Sequence, residues 1–175
     1  MVPASICTIG HSTRTLADFL KLLEAHGITR LADVRTVPRS RRHPHFSREA
    51  LAAGLSQAGI EYRHFPGLGG LRTPTPDSLN TAWQNASFRG YADHMLTADF
   101  NRALQELMDF AAPEPTAIMC AEAVWWRCHR ALLSDALEMR GVEVFHIDSA
   151  KAARRHRVTE FARELDGRPI YPGLV

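Results

Sequence analysis

Between Cys120 and Arg130 the chain reads Cys-Ala-Glu-Ala-Val-Trp-Trp-Arg-Cys-His-Arg, which places two thiols, a carboxylate, an imidazole and two guanidinium groups in one short stretch. A thiolate is both a nucleophile and a redox group, and nearby positive charge or a helix N-terminus helps it form. Glu122 offers a general base, or else a partner for an arginine. Arg127, Arg130 and the start of a helix near Cys128 would together make an anion site. Either Cys120 or Cys128 could be the reactive thiol, with His129 beside it, and the two cysteines could pair under oxidation. A plainer reading stands beside these. Cys120 completes an apolar run, and free cysteine is among the most buried residue types. Cys128 and His129 on an early helical turn could simply be half-buried, and Cys7, inside an apolar run of its own, reads as core.

Further polar groups follow other apolar runs. His11 and Ser12 come after Gly10, with His11 suited to proton transfer and Ser12 to capping or ligand contact. Arg35 follows Asp33, which would anchor it or a backbone amide. His64, His146 and Asp148 close two more runs, and the histidines read as satisfied edge residues. The stretch Val34 to Arg48 holds five arginines and no acid. Its Arg39, Arg41 and Arg42 have the planar fork that suits phosphate and carboxylate groups, or they form a solvated face. Trp125, Trp126 and Phe88 could stack on a base, although packing is the expected role of the tryptophans. The ligand crevice of an open α/β sheet lies beyond the carboxyl ends of its strands, so these groups should converge there.

The elements that must carry them alternate in type. Strands are expected at Ile6–Ile9, Leu31–Val34, Tyr62–Phe65, Thr116–Cys120 and Val142–Ile147. A helix capped by Thr15, with Asp18 three positions on, carries Leu16, Phe19, Leu20 and Leu23 as its apolar stripe. Ser47 caps the next helix, with Phe46 and Leu51 placed as a hydrophobic staple. Thr75-Pro76 should open a short helix. The region from Gly90 to Ala112 should be helical, with a break at Thr97. Cys128 to Arg140 and Ala152 to Glu164 complete the set. Gly67 to Leu71 reads as a flexible loop lining the cleft. The sum is a single α/β domain, a Rossmann-like three-layer sandwich whose mostly parallel sheet has about five strands. Its core would span about 5–148, and 149–175 would form a C-terminal helix and tail.

Composition limits the function classes. With 175 residues, 45% hydrophobic and 23% charged, the chain can bury a proper core. No window reaches the roughly 20 apolar residues of a membrane span, and no secretory signal opens the chain, so a cytoplasmic protein is expected. All but two of its 21 basic residues are arginine, while the net charge is only +2. That balance suits a small anionic molecule or a nucleotide as partner. It leaves nucleic acid open and does not suit a membrane surface. A homodimer is compatible with a domain of this size. The zinc spacings, Walker loop, dinucleotide fingerprint and nucleophile elbow are missing, so neither a metal nor a cofactor is expected.

Thr8-Ile-Gly-His-Ser12, Asp33-Val-Arg35, Arg39-Ser-Arg41, Leu68-Gly-Gly-Leu71, Asn85-Ala-Ser-Phe-Arg-Gly-Tyr91 and Cys120-Ala-Glu122 with Cys128-His-Arg130 together resemble a bacterial family, domain of unknown function 488. The resemblance implies an α/β fold and a cytoplasmic protein, and it implies no activity. A more distant likeness links Asp33-Val-Arg35 and the strand ending in cysteine to rhodaneses and cysteine phosphatases. Those enzymes wrap an anion in a tight loop between the cysteine and an arginine. Here Arg127 falls one position beyond the phosphatase spacing, Trp125-Trp126 crowd the loop, and Glu122 adds negative charge.

Three functions follow from these residues. The first is an enzyme acting on an anionic or nucleotide-like substrate through a cysteine/glutamate centre. The second is a non-catalytic nucleotide or nucleic-acid binding module, and the third is a thiol redox switch using Cys120 and Cys128.

Overall fold

The computed structural model describes residues 1–174. Five strands run parallel: β1 (Ser5–Gly10), β2 (Arg30–Asp33), β3 (Glu61–His64), β4 (Thr116–Cys120) and β5 (Glu143–Ile147). A short antiparallel strand, β6 (Arg154–Arg155), joins the edge at β5, giving a six-stranded sheet in the order β3-β2-β4-β1-β5-β6. Five helices flank it: α1 (Leu16–Ala25), α2 (Arg48–Gln57), α3 (Ala86–His94), α4 (Ala98–Ala111) and α5 (Arg130–Glu138). A separate hairpin of β7 (Arg163–Leu165) and β8 (Arg168–Ile170) lies near the C-terminus.

The period of two along each strand sorts the core into two layers. Ile9, Leu31, Ala117, Met119 and Ile147 meet Phe19 and Leu23 of α1 and Leu51 and Leu55 of α2. Ile6, Ala32, Ile118, Cys120 and Val144 meet the other face, built from Tyr91 of α3, Phe100 and Leu104 of α4 and Leu132 of α5. The three-layer α/β sandwich expected from the sequence is therefore present, with one more strand than anticipated. Thr15 caps α1 by accepting from the Asp18 amide at 3.1 Å. The chain breaks at Thr97, which caps α4. Phe46 and Leu51 share one buried cluster, as a staple requires. Ser47 stands before α2 but makes no side-chain cap bond. Cys7 is half-buried against the α1/α2 layer.

Three expectations fail for identifiable reasons. Ala152 to Glu164 is not a helix. Arg154 and Arg155 pair with His146 and Phe145, and His156 is buried between two polar partners, so tertiary contacts override helical propensity. Thr75-Pro76 opens only a turn, because the Asp93 carboxylate gathers the Thr75 amide, the Ser78 hydroxyl and the Asn80 side chain. The fifth helix begins at Arg130 rather than Cys128, whose backbone remains extended. Among the described residues no helix is long and apolar enough to cross a membrane.

Parallel β1 and β4 end side by side, with Gly10 opposite Cys120. The next residues stay laced together, His11 donating to the Cys120 carbonyl at 2.9 Å and Ser12 to that of Ala121 at 3.0 Å. A Cβ at Gly10 would lie 1.9 Å from the Glu122 carbonyl oxygen, so only glycine admits this approach. Gly10→Ala should cost about 3 kcal/mol, lowering the thermal midpoint by roughly 10 °C. A midpoint unchanged in differential scanning calorimetry would show that the two segments can separate freely.

Candidate active site

The strand ends open onto two neighbouring clefts that share Ala121 and Glu122. The first, about 350 Å³, lies beyond β2 and β4. Cys120, Cys128, His129 and Arg35 line it, along with the apolar walls of Val37, Leu71, Phe88 and Tyr91. Arg39 and Arg127 also border it, and neither has a carboxylate within ion-pair distance among the described residues. The second cleft lies beyond β1 and holds His11, Ser12, Arg41, Arg42 and His43.

The two thiols meet in the first cleft, with Cys120 Sγ 2.8 Å from Cys128 Sγ. Cys128 also accepts from the Arg130 backbone amide at the start of α5, at 3.4 Å. His129 Nδ1 lies 3.6 Å from the same sulfur. The other ring nitrogen, Nε2, faces the Val34 carbonyl at 2.9 Å and therefore carries a proton. Nδ1 is then free to take the Cys128 proton and, as imidazolium, to donate back to the thiolate. Burial pushes the Cys128 thiol up, but the Cys120 S–H, His129 and the Arg130 charge outweigh it and hold Cys128 well below the ordinary thiol range. Burial raises Cys120 instead, and the neighbouring Cys128 raises it further. The two sulfurs are thus pushed in opposite directions, Cys128 toward the thiolate and Cys120 toward the thiol.

Arg130 is 1% exposed and has no carboxylate partner among the described residues. Its Nη2 donates to the Glu122 and Ala123 carbonyls at 2.6 and 3.4 Å, and its Nη1 to Thr8 Oγ1 at 3.1 Å. The segment after Cys120 thus turns carbonyl oxygens toward a guanidinium, the opposite polarity to an anion-wrapping loop.

Beyond Thr8 runs a buried chain that no sequence motif announced. Thr8 meets His146 Nδ1 at 2.6 Å, His146 Nε2 meets His156 Nδ1 at 2.8 Å, and His156 Nε2 meets Asp135 Oδ1 at 2.7 Å. Tyr171 donates to the other carboxylate oxygen at 2.8 Å. With Asp135 accepting, each imidazole donates through Nε2 and accepts through Nδ1, and Thr8 accepts from Arg130 while donating to His146. Trp125 covers the chain, stacked on His146 at 4.1 Å.

Other candidates lie where the strand-end rule put them, with different tasks. Asp33 clamps Arg35 through Nε and Nη2 at 2.9 and 2.7 Å and also takes the Arg35 amide. Among the described residues, Arg35 Nη1 remains buried without a partner. His11 stacks on Phe46, and its Nε2 likewise finds no partner among them. Glu122 contributes its carbonyl to the thiol cleft while its side chain is exposed at the border of both clefts. His64 sits outside both clefts, bonded to the Arg35 carbonyl at 2.7 Å. His146 and Asp148 border a separate recess with Trp125 and Trp126. Among the described residues no three His, Cys, Asp or Glu side chains form a group suited to a metal ion.

A profile of the family described as Domain of unknown function DUF488 matches residues 15–137. The chain belongs to this family. No curated protein and no solved structure matches it. The DUF488 match covers Asp33, Arg35 and both thiols, whereas Thr8, His146, His156 and Tyr171 lie outside it.

Burial, together with the adjoining His156 ring and the charges of Arg130 and Arg154, pushes His146 down to about 3. Burial lowers His11 to about 4 despite its bond to the Ser12 carbonyl. Both rings are therefore neutral in the fold at pH 5, whereas in the unfolded chain they charge below about 6.5. The unfolded state binds protons that the native state refuses, so stability is full above pH 6.5 and falls with acidification until the folded values are reached. Urea unfolding between pH 7 and pH 5 should lose up to about 1.4 kcal/mol per pH unit for each ring. A flat profile over that interval would mean that both rings charge in the native state, and half the slope that only one does.

Proposed function

We propose that this DUF488 protein is an enzyme acting on an anionic or nucleotide-like substrate, with Cys128 as its nucleophile. One observation carries the reading. Cys128 Sγ is the meeting point of the Cys120 thiol, His129 Nδ1 and the first amide of α5, and it opens onto a cleft. Structural cysteines need none of these partners. Around the thiol the cleft divides its labour. Arg35, Arg39 and Arg127 supply positive charge for an anionic group, while Phe88, Tyr91, Leu71 and Val37 offer an apolar surface to the rest of the substrate. His129 receives the thiol proton, and Arg130 stabilises the resulting charge. The exposed carboxylate of Glu122 can exchange a proton with substrate from the border of the cleft. The second cleft, with Arg41, Arg42 and Ser12, would receive a further anionic group of a longer substrate such as a nucleotide.

A binding module is the second reading, favoured by Arg41 and Arg42, which have no ion-pair partner among the described residues. It requires anion affinity that depends on those arginines and falls with salt, with no reactive thiol.

Alkylation separates the two. Iodoacetate, an anion, and iodoacetamide, its neutral counterpart, should both modify Cys128 rapidly well below the reference thiol pKa of about 8.5. The anionic reagent should be favoured relative to its behaviour with free cysteine. Arg39→Ala with Arg127→Ala should remove that preference by about tenfold while sparing the iodoacetamide rate. His129→Gln should move the pH profile of both reagents upward by about one unit. Slow alkylation with the same pH profile as free cysteine would end the enzymatic assignment and leave the binding module.

A further inference from the structure

A single thiolate suffices for acyl, glycosyl or phosphoryl transfer, because water or another acceptor releases the enzyme. This site holds a second thiol in contact with the first, and Cys120, 2% exposed, reaches little besides Cys128 and the Glu122 carbonyl. A second thiol has work to do only where the first becomes an electrophile at sulfur, which happens when Cys128 attacks another sulfur atom. The segment between the cysteines is already closed for such a step. Arg130 holds the Glu122 and Ala123 carbonyls, Arg127 donates to Val124, and Cys128 donates to Trp125. Moving the sulfurs from 2.8 Å to a bond of about 2.0 Å needs a shift of less than roughly 1 Å.

We propose that the site is a dithiol reductase centre for small anionic disulfides, with Cys128 attacking and Cys120 resolving. This rests on Cys128 being the nucleophile, as argued above, and adds the substrate class.

In the first step Cys128 thiolate attacks one sulfur of R–S–S–R. A Cys128–S–R disulfide forms, the substrate S–S bond breaks, and one R–S⁻ leaves. In the second step Cys120 gives up its proton and attacks Cys128 Sγ. The mixed disulfide breaks and the second R–S⁻ departs with that proton as R–SH. The substrate gains two electrons and the protein loses two, ending as a Cys120–Cys128 disulfide. A second thiol compound, either a low-molecular-weight thiol or a protein dithiol, must reduce that bond to restore the enzyme. The site also changes in the right sense between steps. Once Cys128 is a neutral disulfide, its charge no longer opposes ionisation of Cys120, while Arg130 still favours it.

Dithiobis(nitrobenzoate), an aromatic dicarboxylate disulfide, is the probe, used below stoichiometry on the full chain carrying Cys7→Ser. Each disulfide should release both thionitrobenzoates, and the protein should become lighter by two hydrogens with no adduct. Cys120→Ser should release only one thionitrobenzoate per disulfide and retain the other on Cys128. Normalised to their rates with free cysteine, this dianionic disulfide should be preferred over neutral dithiodipyridine by at least about tenfold, since only the anion gains the arginine contacts. If the Cys7→Ser protein keeps a stable adduct on Cys128, the reductase proposal falls while the nucleophile assignment stands. If release is complete but dithiodipyridine is equally favoured, the anionic substrate class falls. If Cys128 reacts with neither disulfide nor iodoacetate, both readings fall together.

Discussion

Arg130 brings a permanent positive charge to a place where water hardly reaches and where, among the described residues, no carboxylate waits within ion-pair distance. An isolated buried ion is expensive, so its surroundings must answer it. Three kinds of group do so. Carbonyl oxygens of the segment after Cys120 take two of its donors, the Thr8 hydroxyl leads through two imidazoles to Asp135, and the Cys128 thiol gains by ionising nearby. The last of these is where structure becomes chemistry. Arg130 joins Cys120 and His129 in holding the Cys128 thiol below the ordinary thiol range against its burial.

The two clefts share one strip of backbone at Ala121 and Glu122, held by β1 through the amides of His11 and Ser12. Both clefts therefore hang on the same few backbone hydrogen bonds. It also explains why Gly10, which does no chemistry, belongs to the description of the site. The close approach of β1 keeps the Glu122 carbonyl where Arg130 can use it.

The sheet and most helices were legible because their signals are local. Strand ends, the Thr15 cap and the break at Thr97 depend on neighbouring residues, and period-two burial follows directly. The stretch from Cys120 to Arg130 stood out by density of reactive types, and the proximity of its thiols was among the readings. What the sequence could not reveal is long-range. Thr8, Asp135, His146, His156 and Tyr171 have no motif spacing, and each looks ordinary until the fold joins them. The same blindness turned Ala152–Glu164 into an expected helix, since nothing local says that His156 must be buried. The one hint was a run of polar residues after the last strand, rich in arginine but containing a histidine with no evident partner.

His156 and Tyr171 also set an order of events for the growing chain. Both cysteines leave the site of synthesis before the residues that complete the buried chain from Asp135 to Arg130. Until that last segment docks, Asp135 lacks His156 and Tyr171, and the strand carrying His146 has no cover at its edge. The nascent chain thus passes through a stage in which both cysteines and Arg130 are present while the buried chain that Arg130 joins is incomplete.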